Sequence, residues 1–207
     1  MASEGFFKVL FVNLKHNFRL HFLAAMFIVG LTPVVFGIAA LNYRQAAQPI
    51  EMFLSLIGMI LFAPIFLPEQ AKEIRKILWM RKLDLIWVIL LRLSYSLVAT
   101  VFLTGGFVLL MRQLGSEVSV EHFAGGVITA MFLGALGFAA AGISQNVIAG
   151  YMVSFLYYTL NFAGRDKLGH FFLFSMSTGS FTEKYYLLAG AAVLILITLV
   201  VFHQRGV

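Results

Sequence analysis

Few residues of this 207-residue sequence have the types and spacing that chemistry requires. Its five histidines, His16, His21, His122, His170 and His203, are scattered, and no His/Asp/Glu cluster has metal-ligand spacing. Most of them sit at the ends of apolar segments, where histidine is ordinarily an interfacial residue. No GxxxxGK[ST] loop is present to cradle a nucleotide phosphate, and no GxSxG elbow to present a nucleophile. The absence of Cys removes disulfides, thiolate chemistry and cysteine–zinc sites together. The STGS run, Ser177 to Ser180, reads as a turn rather than a nucleophile site. Every Asp and Glu falls in a loop or at the end of an apolar segment, which argues against a carrier driven by a proton or sodium gradient.

The residues that remain are charges arranged for docking. Pro68 to Asp84, PEQAKEIRKILWMRKLD, is the densest charged run and holds Lys72, Arg75, Lys76, Arg81 and Lys82 out of 15 Lys and Arg. Read as a helix, Ala71, Ile74, Ile77 and Leu78 form one stripe, with Lys72, Arg75 and Lys76 on other faces. Such a helix suits either a membrane surface or a groove in a cytoplasmic partner, and the second is the reading adopted here.

The surrounding sequence says where that run must lie. With 61% hydrophobic and 12% charged residues and a mean hydropathy of +0.93, the chain reads as an all-α polytopic membrane protein. The net charge of +6 is better explained by topology and anionic lipid than by nucleic acid. Residues 1–20 do not read as a signal peptide. Lys8, Lys15 and Arg19 fall within roughly 20° of one another at about 100° per residue, opposite Phe7, Leu10, Phe11, Leu14 and Phe18. That pattern predicts an interfacial amphipathic helix, the alternative being a cytoplasmic extension of the first span.

Six spans are expected, at 22–41, 50–67, 85–111, 122–143, 147–163 and 185–202, in a single transmembrane domain over 1–207. Asn42 to Pro49 reads as a short external loop, with Glu51 at the outer interface. Arg92 reads as snorkelling to lipid phosphate or pairing with Asp84 or Glu69. In the fourth span, Ala130 with Gly134 and Gly137 with Ala141 place small residues four apart, which allows close helix contact. Ser144 to Asn146 makes a tight inner turn. Residues 164–184 are external by count, yet His170 to Met176 (HFFLFSM) is apolar and too short to cross, which predicts a partly inserted hairpin. Ten cations (Lys8, Lys15, Arg19, the five of the 68–84 run, Arg92 and Arg205) then fall inside and five (Arg44, Arg112, Arg165, Lys167 and Lys184) outside. By the positive-inside rule both termini are cytoplasmic.

This layout resembles an ABC-2-type permease subunit over essentially the whole chain. Its most specific local piece is PEQAKEIRKIL, Pro68 to Leu78, which looks like the coupling loop of that family, although Gln70-Ala71 stands where the common Glu-Arg-Gly-Thr version would continue. The resemblance implies an exporter in a bacterial plasma membrane, with a cytoplasmic ATPase subunit as partner and a second permease chain, identical or related. ATP and magnesium would sit on the partner, and this chain would hold no cofactor. Glu69, Gln70, Lys72, Glu73, Ile74, Arg75, Lys76, Ile77 and Leu78 would receive the ATPase's movement. The helix carrying Lys8, Lys15 and Arg19 would flank them on the lipid surface. His170, Phe171, Phe172 and Phe174 would form an external gate, and the cargo would be hydrophobic or amphipathic. A non-transporting membrane scaffold that uses the same charged run is a second reading. An intramembrane enzyme using His170 with Ser175, Ser177 or Ser180 is a third.

Overall fold

Proline and glycine cut this apolar sequence into helices, and its small residues decide how closely those helices pack. The computed structural model describes residues 18–70 and 85–204, and every regular element among them is helical. Helix α1 runs Arg19–Phe36 and stops at Gly37, whose φ of +63° turns the chain while its N–H still reaches the Pro33 carbonyl. Beside Pro33 the Thr32 hydroxyl donates to the Ile28 carbonyl at 2.8 Å. Helix α2 runs Tyr43–Phe66, with a π-helical turn at Pro49–Leu54 and a tighter 3-10 turn at Ala63–Phe66. One further helical turn covers Leu67–Gln70. Helices α3 (Leu85–Gln113), α4 (Val120–Ser144), α5 (Val147–Leu160) and α6 (Thr182–Gln204) follow. All but α5 are long and apolar enough to cross a membrane, and α5 with its 3-10 extension forms a shorter apolar helix, Val147–Ala163.

Several expected boundaries move. Arg19 and Leu20 open α1 rather than close an interfacial helix, and α1 ends before residue 41 because Gly37 breaks it. Lys8 and Lys15 lie outside the described residues. Asn42 to Pro49 is not a loop. The Asn42 side chain accepts from the Gln45 N–H at 3.0 Å while Gln45 Oε1 accepts from the Asn42 N–H at 3.3 Å, a reciprocal cap that starts α2 there. Helix α6 likewise begins at Thr182, so Glu183 and Lys184 are helical residues and not part of an external loop.

Contacts between connections define the two ends of the bundle. At one end the Ala40 N–H donates to the Leu114 carbonyl at 3.1 Å and the Glu117 N–H to the Leu41 carbonyl at 2.9 Å. The Ser116 hydroxyl adds a bond to the Ile38 carbonyl at 2.7 Å. At the other end Phe18 packs on Tyr95 at 4.6 Å, Phe66 lies 5.4 Å from Phe202, and Gln70 donates to the Gln145 carbonyl at 3.3 Å. The turn from α4 to α5 sits there, with Gln145 left-handed at φ +54° and Asn146 capping α5 through the Ile148 N–H at 2.9 Å.

Helices α4 and α2 form the middle, 67% and 72% buried over their apolar windows, against 11% for α1 and 22% for α6. The expected small residues are where the neighbours approach. A Cβ on Gly58 would sit 1.8 Å from the Ala130 carbonyl oxygen, and one on Gly150 2.6 Å from that of Gly137. Backbone thus lies against backbone along both faces of α4. Gly58→Ala is therefore expected to lower stability by about 1–3 kcal/mol or more, as overpacking does. Gly106→Ala, with nothing within 4 Å of the added carbon, is expected to be neutral or to gain up to about 1 kcal/mol. Thermal unfolding in one mild detergent compares the two.

Candidate functional site

Among the described residues charge enters the apolar interior in two places, and the first is the π-helical turn of α2. Glu51 lies in that turn, about 12 Å along the helix from its start at Tyr43 at 1.5 Å per residue. Lys184 lies in the first turn of α6. Their side chains meet at 2.6 Å, both with 0% exposure. Glu51 Oε1 also accepts the Met176 N–H at 3.0 Å, and Oε2 accepts the Ser177 N–H at 3.0 Å. The Lys184 ammonium uses its other protons on Thr129 Oγ1 and the Leu173 carbonyl, each at 2.6 Å. Thr129 passes its own proton to the Gly125 carbonyl at 2.7 Å. The Glu51–Lys184 pair is itself neutral, with the buried Glu183 carboxylate, bonded to Ser180, as a second anion beside the lysine. Each Lys184 donor and both Glu51 oxygens are engaged, the condition under which a buried pair is tolerated.

The backbone bound by this pair belongs to the apolar stretch that is too short to cross. It is folded from 3-10 turns at Gly169–Phe171 and Met176–Thr178, with Phe172, Leu173, Phe174, Ser175 and Met176 buried. Asn161 Oδ1 accepts the Leu173 N–H at 2.7 Å and the Tyr157 hydroxyl donates to the Phe171 carbonyl at 2.5 Å. Tyr158 donates to the Met52 carbonyl, inside the π-helical turn. Glycine makes the room: a Cβ on Gly125 of α4 would fall 2.3 Å from Met176 Sδ.

The second charge is Arg92 of α3, only 5% exposed. It is buried and donates to the Ile65 carbonyl at 2.8 Å rather than reaching out towards lipid phosphate. Asp84 and the side chain of Glu69, the other expected partners, lie outside the described residues. One turn on, the Ser96 hydroxyl donates to the Leu61 carbonyl at 3.0 Å. Both acceptors flank Pro64, where α2 tightens to a 3-10 turn, so α3 supplies donors where the proline interrupts the helical ladder.

The four expected gate residues divide. His170 is exposed and stacks on Tyr186 at 4.6 Å, and Phe171 is 45% exposed. Phe172 and Phe174 instead pack into the core beside Leu173. The serines paired with His170 in the enzyme reading are engaged elsewhere: Ser177 donates to the Phe174 carbonyl at 2.7 Å and Ser180 to Glu183 at 2.5 Å. Ser175 is buried while His170 is not. Of the expected coupling residues, Glu69 has a helical backbone and Gln70 is exposed and bonded to Gln145. Lys72, Glu73, Ile74, Arg75, Lys76, Ile77 and Leu78 lie outside the described residues.

Glu51 was expected at the outer interface and is in fact buried, because the apolar stretch folds inward to meet it. His122, expected at an interface, is also fully buried. Its Nδ1 accepts the Ser119 N–H at 3.2 Å, which leaves Nε2–H to donate to the Tyr43 carbonyl at 2.8 Å. Among the described residues no three His, Asp or Glu side chains gather in a way that could hold a metal ion.

Removing one member of the buried pair strands the other. Lys184→Met or Glu51→Gln is expected to cost about 3–5 kcal/mol, whereas the apolar double variant Glu51→Leu/Lys184→Met recovers most of that loss. A double-mutant cycle of unfolding free energies in detergent measures the coupling. No protein-family model, curated protein or solved structure matches this chain, so the functional reading rests on its sequence and geometry.

Proposed function

We propose that the chain is the transmembrane subunit of an ABC-2-type exporter, moving a hydrophobic or amphipathic cargo with ATP hydrolysed by a separate cytoplasmic subunit. In this reading α5 is a sixth, short span, and both termini lie in the cytoplasm with the 68–84 run. The observation that carries the proposal is the buried apolar stretch before the last helix, held at the opposite end of the bundle from Gln70, after which the charged run continues in the sequence. A bundle that must switch between inward and outward states needs a movable closure at one end and a drive point at the other. In this reading residues 169–181 are the closure, and the charged run that follows Gln70 in the sequence is the drive point. The paucity of charge along the helices leaves the energy source to another chain.

The partner ATPase would bind the stripe of Ile74, Ile77 and Leu78, with Arg75 and Lys76 setting its orientation by charge. A mild-detergent pull-down of the tagged chain is expected to bring down a soluble ATPase, together with a second permease chain. The double charge reversal Arg75→Glu/Lys76→Glu is expected to lose that ATPase while leaving the helical bundle folded. If the chain purifies alone in several detergents, without associated ATP hydrolysis, the exporter reading fails and a scaffold role replaces it.

A further inference from the structure

We propose that the Glu51–Lys184 pair is a latch. It holds residues 172–177 closed inside the bundle, and when it opens that stretch is released as a unit while the helices stay packed. The inference concerns this chain alone and stands whether or not it serves an ATPase.

The pair joins parts of the chain that are remote in sequence. Glu51 belongs to α2, Lys184 to α6, and Thr129, which takes one of the lysine protons, to α4. Four of the bonds that fix the buried stretch run to side chains rather than to a backbone ladder: Leu173 N–H to Asn161, Leu173 carbonyl to Lys184, and the Met176 and Ser177 N–H groups to Glu51. The last three disappear together when the ion pair parts, since the two charges are one cluster. Cooperative release follows from that arrangement.

Hinges are present on both sides of the stretch. Gly164, Gly169 and Gly179 all have positive φ, at +102°, +53° and +86°. A Cβ at Gly164 or Gly169 would meet nothing within 4 Å, so the left-handed backbone there is required by the path of the chain and not by crowding. On the other partner, Glu51 sits in a π-helical turn, one residue wider than the α-helix around it. Closing such a turn rotates one side of a helix against the other by about 100°, which carries a carboxylate away from a fixed lysine. The closed state also keeps the Ser175 hydroxyl buried with no hydrogen-bond partner, and an open state would hydrate it. A permanent strut needs none of this, because a well-packed apolar pair holds helices together as well as a buried ion pair does.

The test uses the full chain in lipid nanodiscs. Hydrogen–deuterium exchange should show the amides of Leu173, Met176 and Ser177 opening with one common rate, well ahead of the amides in the middle of α2 and α4. Cysteine is absent from the sequence, so Ser175→Cys gives a single thiol at a buried position whose hydroxyl has no partner to lose. That thiol should react slowly with a charged, membrane-impermeant maleimide. Lys184→Met or Glu51→Gln should raise its labelling rate roughly tenfold or more, while a thiol placed by Ala141→Cys, buried in α4 in the core cluster that holds none of residues 172–177, stays protected. The proposal is overturned if Ser175→Cys labels equally slowly with and without the pair. If Ala141→Cys is exposed too, the substitution has unfolded the bundle and exchange in the unaltered chain decides. There, residues 172–177 exchanging only as slowly as the helix cores would sink the latch.

Discussion

An irregular stretch buried among helices, with only short 3-10 turns of its own, must find partners for much of its backbone outside itself, because no continuous ladder is at hand. Each group left over would cost several kcal/mol. Residues 171–177 meet that demand with borrowed side chains, and the borrowing sets off a sequence of dependencies. The Leu173 carbonyl is answered by Lys184, which brings a full positive charge into an apolar interior. That charge requires an anion at contact distance, and Glu51 supplies it. The carboxylate then has acceptor capacity to spare, which the Met176 and Ser177 N–H groups fill. No one of these residues could stay if the others were removed, so the pair and the stretch are a single structural decision.

Depth is what makes this possible, and small residues provide it. Gly125 clears the volume that Met176 occupies, while Gly58 against Ala130 and Gly150 against Gly137 draw α2 and α5 onto α4. Close approach of backbones compensates for the weak drive to associate that apolar helices have in a lipid-like solvent. Because α4 is gripped on both faces by contacts that tolerate no added methyl group, the middle of the bundle is rigid.

The sequence announced the helices well, since long apolar runs punctuated by Gly, Pro and polar turns allow little else. It also marked Ala130, Gly134, Gly137 and Ala141 as contact residues, and it singled out His170 to Met176 as apolar yet too short to cross. The ion pair was not legible in it. Glu51 and Lys184 are separated by more than half the chain, and each stands near the end of an apolar segment, where a one-dimensional count places it in cheap, wet surroundings. Their burial depends on a third segment folding inward to cover them, which no local periodicity encodes. The same applies to His122, whose partners are Ser119, just before α4, and Tyr43, the first residue of α2, and to Arg92, whose carbonyl partner exists because Pro64 tightens a different helix. One signal was available: a Glu and a Lys, each beside an apolar stretch that could not be accommodated alone.

The path between the two ends of the molecule runs along one helix. From Glu51 to Gln70, α2 and its last turn extend about 28 Å at 1.5 Å per residue, and irregular turns stand near both limits, the π-helical turn at Pro49–Leu54 and the 3-10 turn at Ala63–Phe66. Between them, Gly58 presses on α4 and fixes the middle of the helix like a fulcrum. In the exporter reading, force enters beyond Gln70, where the charged connection begins, and the opposite limb carries the carboxylate that holds the closure. A helix restrained at its centre cannot shift bodily, so a push at one limb is expressed as a change at the irregular turns. Arg92 and Ser96 grip the turn near Pro64 from α3, and Lys184 and Tyr158 grip the π-helical turn from α6 and α5. A drive that weakens the first grip is felt at the second through α2, which carries both irregular turns, and for that reason a closure bound by α2 suits a subunit driven from its far end.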